Sequence, residues 1–170
     1  MKRSSIRAVV TADTHIPDFA KSIPSQLLDE AGTVDLILHA GDATSAPVLD
    51  RLSERAPVHA VLGNNDGADV SRWGAKESLE LEIGGVSCAL VHDAGPAKGR
   101  ARRMRRRFPD ADVVFFGHSH IPMDVAEDGI RLVNPGSPTW KRRQPRPTYA
   151  IVTFGGGVDV EFRELPVLAR

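Results

Sequence analysis

Five short apolar runs in this chain each end in a cluster rich in Asp, His, Asn and Gly. The clusters are Asp13-Thr14-His15, Gly41-Asp42, Gly63-Asn64-Asn65-Asp66, His92-Asp93 and Gly117-His118-Ser119-His120. In open α/β sheets, binding sites form at the carboxyl ends of the strands. One polar residue at a strand end is usually a cap, but five such clusters in one short chain predict a shared site at the edge of a sheet.

The first half of the sequence predicts an alternation of strands and helices. Buried strands are expected at 6–10, 34–38 and 58–62, and each leads directly into one of the polar clusters. Pro24 suits the first position of one helix, and Ser45 suits the N-cap of another. This alternation is typical of a parallel α/β arrangement.

The second half of the sequence predicts further strands and one basic helix. Strands are expected at 79–83, 86–91, 113–116, 123–126, 130–133, 149–154 and 158–162. We expect Pro96 to open a helix whose small or apolar positions are Ala97, Ala101, Met104 and Phe108. Arginines occupy the other faces of this helix.

The size and composition of the chain predict one domain that covers residues 1–170. A single core serves ~100–200 residues, and 41% hydrophobic with 26% charged residues excludes a disordered or coiled-coil chain. No apolar run approaches the ~18 residues that span a bilayer, and we recognise no secretory signal, so we expect a cytoplasmic protein with no membrane partner. The single cysteine, Cys88, excludes an internal disulfide and a cysteine-based metal site.

The polar clusters carry donor groups that suit transition metals. If the strand ends converge, they bring together two carboxylates, one asparagine amide and four imidazoles. Nitrogen and oxygen donors without thiolates suit Mn, Fe, Zn, Ni or Co better than Ca or Mg. These ligands are too many for one ion, but they suit two ions that share a bridging carboxylate at a separation of ~3.5–4 Å.

The same clusters, followed by Asn134-Pro135-Gly136-Ser137, resemble a known family in their order and spacing. That family is the calcineurin-like metallophosphoesterases, and the chain most resembles their small stand-alone phosphodiesterase branch in bacteria and archaea. The resemblance covers nearly the whole chain. It implies an α/β (α+β) fold of four layers, a β-sandwich flanked by helices, with a dinuclear metal site at one rim.

The resemblance also implies a ligand set and a reaction. It places Asp13, His15 and His120 on one metal ion, Asn64, His92 and His118 on a second ion, and Asp42 as the bridge between them. Mn²⁺ is our first choice for the two divalent ions, with Fe, Ni, Zn and Co as alternatives. The implied activity is that of a phosphodiesterase, in which a metal-bound hydroxide attacks phosphorus and breaks a P–O bond.

Three further residues are candidates for contact with the substrate. Asn65 stands where many family members have a histidine that assists the leaving group, and the small phosphodiesterase branch commonly lacks that histidine. An asparagine can donate a hydrogen bond but cannot supply a proton at neutral pH. Arg142 and Arg143 follow the Asn-Pro-Gly-Ser turn, and either could hold a substrate phosphate.

Half of the positive charge lies in two short segments, although the net charge of the chain is zero. Residues 98–107 hold seven of the 22 basic residues, and residues 141–146 hold four. Two interpretations of the 98–107 helix stay open: a solvated helix face, which we favour, and a surface that contacts nucleic acid.

Two other functions are alternatives to phosphodiester hydrolysis. The first is a non-catalytic metal-binding scaffold, as in the retromer subunit that shares the implied fold. The second is a nuclease that uses the basic 98–107 helix. Retention of every ligand histidine favours an enzyme, and the small size of the chain favours a small phosphodiester over nucleic acid as its substrate. Association into a homo-oligomer stays open.

Overall fold

The computed structural model describes residues 4–167, which form ten β-strands and four α-helices. The strands are β1 (Ile6–Thr11), β2 (Leu36–His39), β3 (Val58–Ala60), β4 (Ser78–Ile83), β5 (Val86–Val91), β6 (Val113–Phe115), β7 (Met123–Glu127), β8 (Ile130–Asn134), β9 (Thr148–Phe154) and β10 (Val158–Glu164). The helices are α1 (Ser25–Ala31), α2 (Ala46–Ser53), α3 (Ala68–Trp73) and α4 (Arg100–Arg107).

The strands form two mixed sheets of five. The first sheet has the order β10-β9-β1-β2-β3, in which β1, β2 and β3 are parallel and β9 and β10 are antiparallel additions at one side. The second sheet has the order β4-β5-β6-β8-β7, with β5, β6 and β8 parallel. In each sheet the parallel strands therefore end at a common edge, and these ends carry the polar clusters.

Alternate side chains of each inner strand pack into different layers. In β1, Val9 faces helices α1, α2 and α3, whereas Val10 lies between the two sheets. In β6, Phe115 lies between the sheets and Val114 faces helix α4. The order of layers is helix, sheet, sheet, helix, which confirms the four-layer architecture.

Helix α4 begins later than the sequence suggested. Pro96 does not open it, because Lys98 and Gly99 lie in a turn and Gly99 has a φ of 73°. A backbone in this left-handed region is incompatible with a continuous right-handed helix. The helix starts at Arg100, and its buried residues are Ala101 and Met104. None of the helices within residues 4–167 is long and apolar enough to cross a bilayer.

Candidate metal centre

The loops that follow the parallel strands of both sheets meet at one rim. The Asp13 N–H donates to the carbonyl of Gly41 at 2.8 Å, which joins the loops after β1 and β2. The His118 N–H donates to Asp13 Oδ2 at 3.0 Å, and this bond joins the loop after β6 in the second sheet to β1 in the first. The convergence expected from the strand ends is therefore present in the structure.

Asp13, His15 and His120 form the first group of donor atoms. Asp13 Oδ1 lies 3.7 Å from His15 Nε2 and 3.6 Å from His120 Nε2. All three atoms are buried and have no hydrogen-bond partner within the described part of the chain. Leaving buried polar atoms unpaired costs ~1–3 kcal/mol each. A cation among them would remove that cost, so the donor set fits a metal ion.

Asp42 lies between this group and a second group. Its Oδ2 atom is 3.5 Å from His15 Nε2 and 3.3 Å from His92 Nε2. Asn64 Oδ1 lies 3.0 Å from His92 Nε2 and 3.2 Å from His118 Nδ1. One carboxylate oxygen of Asp42 therefore faces both groups, as a bridging ligand would.

Backbone carbonyls set the orientation of two imidazoles. The Nδ1 atoms of His92 and His120 lie 2.8 Å from the carbonyl of Ala40 and 2.7 Å from that of Trp140. Because a carbonyl only accepts, each Nδ1 carries the proton, and in the neutral ring Nε2 presents its lone pair to the carboxylates. Burial lowers the pKa of His120, which favours this neutral form.

The two carboxylates create a strongly negative site. Burial alone would lower the pKa of His92, but its bond to Asp42 and the charges of Asp13 and Asp42 raise that pKa to about 9. Burial would raise the pKa of Asp42, but the bond and charge of His92 and the bonds from Asn65 hold it well below its usual range. The site therefore favours positive charge, whether as a proton on His92 or as metal ions.

Five of the seven predicted ligands have a left-handed backbone. These residues are Asp13, His15, Asp42, His118 and His120, with φ between 44° and 73°. A non-glycine residue in this region costs ~1–2 kcal/mol and persists only when its surroundings impose the conformation. The loops therefore hold a strained backbone conformation at five residues whose side chains meet at the rim.

Three glycines leave room for the side chains of predicted ligands. A Cβ on Gly63 would lie 2.1 Å from Asp42 Oδ1, and one on Gly117 would lie 2.8 Å from Asp13 Oδ2. A Cβ on Gly41 would lie 2.6 Å from His92 Nδ1. Each of these glycines precedes one predicted ligand in sequence and makes room for another.

Asp66 positions the Asp42 loop, a role that the sequence analysis did not assign. Its Oδ2 accepts the N–H groups of Asp42 at 2.9 Å and Gly63 at 2.7 Å, and its Oδ1 accepts that of Thr44 at 2.8 Å. In the sequence, a role for Asp66 at the site was indicated by its place in the Gly63-Asn64-Asn65-Asp66 cluster. The carboxylate satisfies three backbone donors that would otherwise have no partner in a tight loop.

Trp140 is a second residue that the sequence analysis left without a role. Besides its carbonyl bond to His120, its ring packs edge-on against the rings of His15 and His120, with centroids 5.2 and 5.4 Å away. The ring also stacks on Phe19 at 4.7 Å. A lone tryptophan after a turn carries no sequence signal for such a contact.

His39 is a packed residue at a strand end that supports the same loops. Its Nδ1 accepts the N–H of Gly41 at 3.2 Å, so Nε2 carries the proton and donates to Thr14 Oγ1 at 3.0 Å. Complete burial is the largest cause of its pKa falling to about 4, and the ring is neutral. It braces the backbone next to Asp42 and makes no direct bond to that carboxylate.

The candidate substrate residues lie at different distances from the metal ligands. Asn65 donates from its backbone N–H to Asp42 Oδ1 at 2.9 Å and from Nδ2 to Asp42 Oδ2 at 2.8 Å. Arg142 donates to the carbonyl of His118 at 3.3 Å, and its guanidinium lies 5.1 Å from the centre of the Trp140 ring. Arg143 is exposed, and within residues 4–167 its side chain has no hydrogen bond or ion pair.

Comparison with known proteins identifies the family. Residues 6–157 match the model of the calcineurin-like phosphoesterase superfamily domain. A probable metallophosphoesterase of Methanothermobacter thermautotrophicus is 36% identical over 157 residues, which cover 89% of this chain and 88% of that protein. A probable metallophosphoesterase of Methanocaldococcus jannaschii is 38% identical over 134 residues, covering 78% of this chain and 68% of that protein.

Solved structures agree with this family at the level of the fold. Vacuolar protein sorting 29 of Cryptosporidium parvum superposes with a TM-score of 0.78 at 21% identity, over 96% of this chain and 99% of that one. An archaeal phosphodiesterase superposes with a TM-score of 0.74 at 23% identity, over 94% of this chain and 100% of that one. The chain belongs to the calcineurin-like phosphoesterase superfamily. Members of this family are hydrolases that use divalent metal ions.

Proposed function

We propose that this chain is a dinuclear metal-dependent phosphodiesterase that hydrolyses small phosphodiesters. The single observation that carries the proposal is the position of Asp42, whose Oδ2 lies within 3.5 Å of both His15 Nε2 and His92 Nε2. Together with the unpartnered atoms of Asp13, His15 and His120, this geometry supports two adjacent ion sites that share one carboxylate. Two divalent ions there would supply positive charge that stabilises phosphoryl oxygens and activates water for attack on phosphorus.

The nature of the donors supports transition metals. Four imidazoles, two carboxylates and one amide oxygen are the donors at the rim, and the only cysteine, Cys88, is buried in β5. This combination favours Mn²⁺ as our first choice, with Fe, Ni, Zn and Co as alternatives. Asp13, His15 and His120 would hold one ion, Asn64, His92 and His118 the other, and Asp42 both.

The surrounding residues of this chain would keep the ligands in place. The carbonyls of Ala40 and Trp140 hold the proton of His92 and His120 on Nδ1, so that Nε2 can bind a cation. Asn65 donates to both carboxylate oxygens of Asp42 and restricts its rotation. Because an amide cannot supply a proton, we expect leaving groups of low basicity to be preferred.

The basic helix gives little support to the nuclease alternative. Within α4, Arg103 donates to the carbonyls of Ala94, Pro96 and Lys98, and Arg100 donates to that of Gly95. Arg105 similarly donates to carbonyls in neighbouring loops. The guanidinium groups of these three arginines therefore form hydrogen bonds with backbone carbonyls of the protein itself. We keep a small diester as the proposed substrate and a cytoplasmic location as a prediction, and a homo-oligomer stays open.

Hydrolysis of bis(p-nitrophenyl) phosphate by the Mn²⁺-loaded protein tests the proposed function. We expect turnover that chelation abolishes and that Asp13→Asn reduces by at least ~100-fold, because Asp13 Oδ1 faces three histidines. Asp110→Asn is the matched control, because this exposed carboxylate precedes β6, at the opposite end of that strand from His118. A loaded and folded protein with no hydrolysis of any diester would instead support the scaffold alternative.

A further inference from the structure

A cleft of about 620 Å³ opens beside the metal centre. We call it the side cleft; it is lined by residues 19–22, residues 139–142, Pro147 and Val167. Ligand pockets in proteins commonly have ~300–1,000 Å³, so its size suits a small organic molecule or part of one. None of the seven predicted metal ligands belongs to its lining.

Cations dominate the polar lining of the side cleft. Lys21, Lys141 and Arg142 contribute three positive charges, and no Asp or Glu is among the described residues that line it. The net charge of the whole chain is zero, so this excess is local. Like charges that converge on a cleft repel one another, and an anion bound there relieves the repulsion.

An aromatic wall connects the side cleft to the metal centre. Trp140 lines the cleft, yet its ring is in edge contact with His15 and His120. Arg142 likewise lines the cleft while donating to the carbonyl of His118. Trp140 and Arg142 therefore border both the side cleft and the candidate metal centre.

Most of the remaining lining is apolar. Phe19 stacks on Trp140, and Ala20, Pro147 and Val167 add further apolar surface, while Ser22 and Thr139 contribute hydroxyl groups. Such walls would contact carbon and ring atoms, which a bare inorganic phosphate does not have. The combination of three cations with an apolar wall fits an anionic group attached to an organic body.

We infer that the side cleft binds a second phosphate, carried by the organic part of the diester substrate away from the bond that is cleaved. This inference rests on the proposed function and narrows its substrate class. The substrate would be a phosphodiester with a further phosphate on a sugar or similar body, such as a nucleotide ester. Lys21, Lys141 and Arg142 provide charge-assisted hydrogen bonds to that phosphate.

Two chromogenic esters that differ by one phosphate test the inference. They are the 5′-(p-nitrophenyl phosphate) ester of thymidine and the same ester with a phosphate on the 3′ oxygen. We expect the phosphorylated ester to have a KM about tenfold lower in the parent protein. In the double variant Lys21→Gln/Lys141→Gln, the two KM values should become nearly equal.

The matched control removes the same charge elsewhere. Lys76→Gln/Lys98→Gln changes two exposed lysines outside the side cleft and should keep the tenfold difference. Equal KM values for the two esters in the parent protein would overturn the inference. A difference that survives in the side-cleft variant would also overturn it. Unchanged melting temperatures would show that both double variants remain folded.

A binding measurement separates this inference from the proposed function. Calorimetric titration of the full chain as purified with thymidine 3′-phosphate should show binding that the Lys21→Gln/Lys141→Gln variant weakens about tenfold. Such binding without any diester hydrolysis would refute the phosphodiesterase and leave the side cleft supported. Hydrolysis of both esters with no binding of this probe would refute the side cleft alone.

Discussion

Asp42 Oδ2 lies 3.3 Å from His92 Nε2, although the two residues follow strands of different sheets. Asp42 follows β2 in the first sheet, and His92 follows β5 in the second. The contact exists only because the two sheets pack face to face with their carboxyl ends at one rim. The candidate metal centre therefore depends on the packing of the whole sandwich.

We expect two transition-metal ions per chain after loading with Mn²⁺. Asp42→Asn should lower the occupancy of both positions together, because its Oδ2 faces both His15 and His92. Elemental analysis of the parent, this variant and the control Asp110→Asn measures the effect. A parent that binds a single ion, or a variant that loses only one of two, would show that Asp42 does not bridge.

The metal-free protein should lose stability as the pH rises from about 6.5 to about 9. The folded pKa of His92 is raised from 6.5 to about 9, so its contribution is complete below pH 6.5 and disappears as pH passes through the folded pKa. The full shift corresponds to a loss of ~3 kcal/mol in the free energy of unfolding. This is an upper limit, because several charged groups interact at the site. Urea unfolding in the presence of a chelator measures it.

Two histidine variants provide the controls for this pH dependence. His92→Gln should flatten the dependence between pH 6.5 and 9, whereas His59→Gln, on an exposed side chain of β3, should leave it unchanged. If the parent is as stable at pH 9 as at pH 6.5, the positive charge at the rim does not reside on His92.

Gly63→Ala should destabilise the protein and empty the metal centre. The new Cβ would lie 2.1 Å from Asp42 Oδ1, and displacing that side chain costs ~1–3 kcal/mol. Gly67→Ala is the matched control, because its Cβ would be 3.4 Å from Asp69 Oδ1 and its φ is −97°. Melting temperature and Mn²⁺ content are the measurements, and equal values for both variants would contradict the packing argument.

Asn65→His should improve the hydrolysis of esters with poor leaving groups more than that of activated esters. A histidine next to Asn64 offers a titratable proton that the amide lacks. The measurement is kcat/KM for aryl esters of graded leaving-group pKa, where the variant should show the shallower slope. Since Asn65 also bonds Asp42, Asn65→Gln controls for the loss of that contact. Parallel slopes would point to another proton donor.

Arg103→Gln should lower the free energy of unfolding by ~1–3 kcal/mol. Its guanidinium donates to three backbone carbonyls within residues 94–98. The substitution would remove these charge-assisted hydrogen bonds. Arg102→Gln, one position away on an exposed side chain, should change stability by less than ~0.5 kcal/mol. Equal effects in urea unfolding would mean that the bonds of Arg103 contribute nothing specific.

The sequence alone determined the types of element and the chemistry of the rim. Apolar runs, their periodicity and their polar ends are local features, and they were enough to predict the strands, the donor types and, through a family resemblance, the four layers. The strands and the four layers were confirmed, because a strand and its terminal cluster are read from neighbouring residues. The metal ligands stay predictions. The basic helix was placed less well, since the conformation of Gly99 moved its start from Pro96 to Arg100.

Only the tertiary structure decided which atoms meet. The carbonyl of Trp140 reaches His120 across 20 residues, and Asp66 reaches Asp42 across 24. The backbone carbonyls that accept from Arg100, Arg103 and Arg105 lie in loops near α4, and the sequence did not predict these bonds. Such contacts depend on how two sheets and their loops pack, and on left-handed backbone at residues such as Asp13 and His118. The spacing of residue types along the chain predicts neither this packing nor the left-handed backbone, because residues distant in sequence impose both.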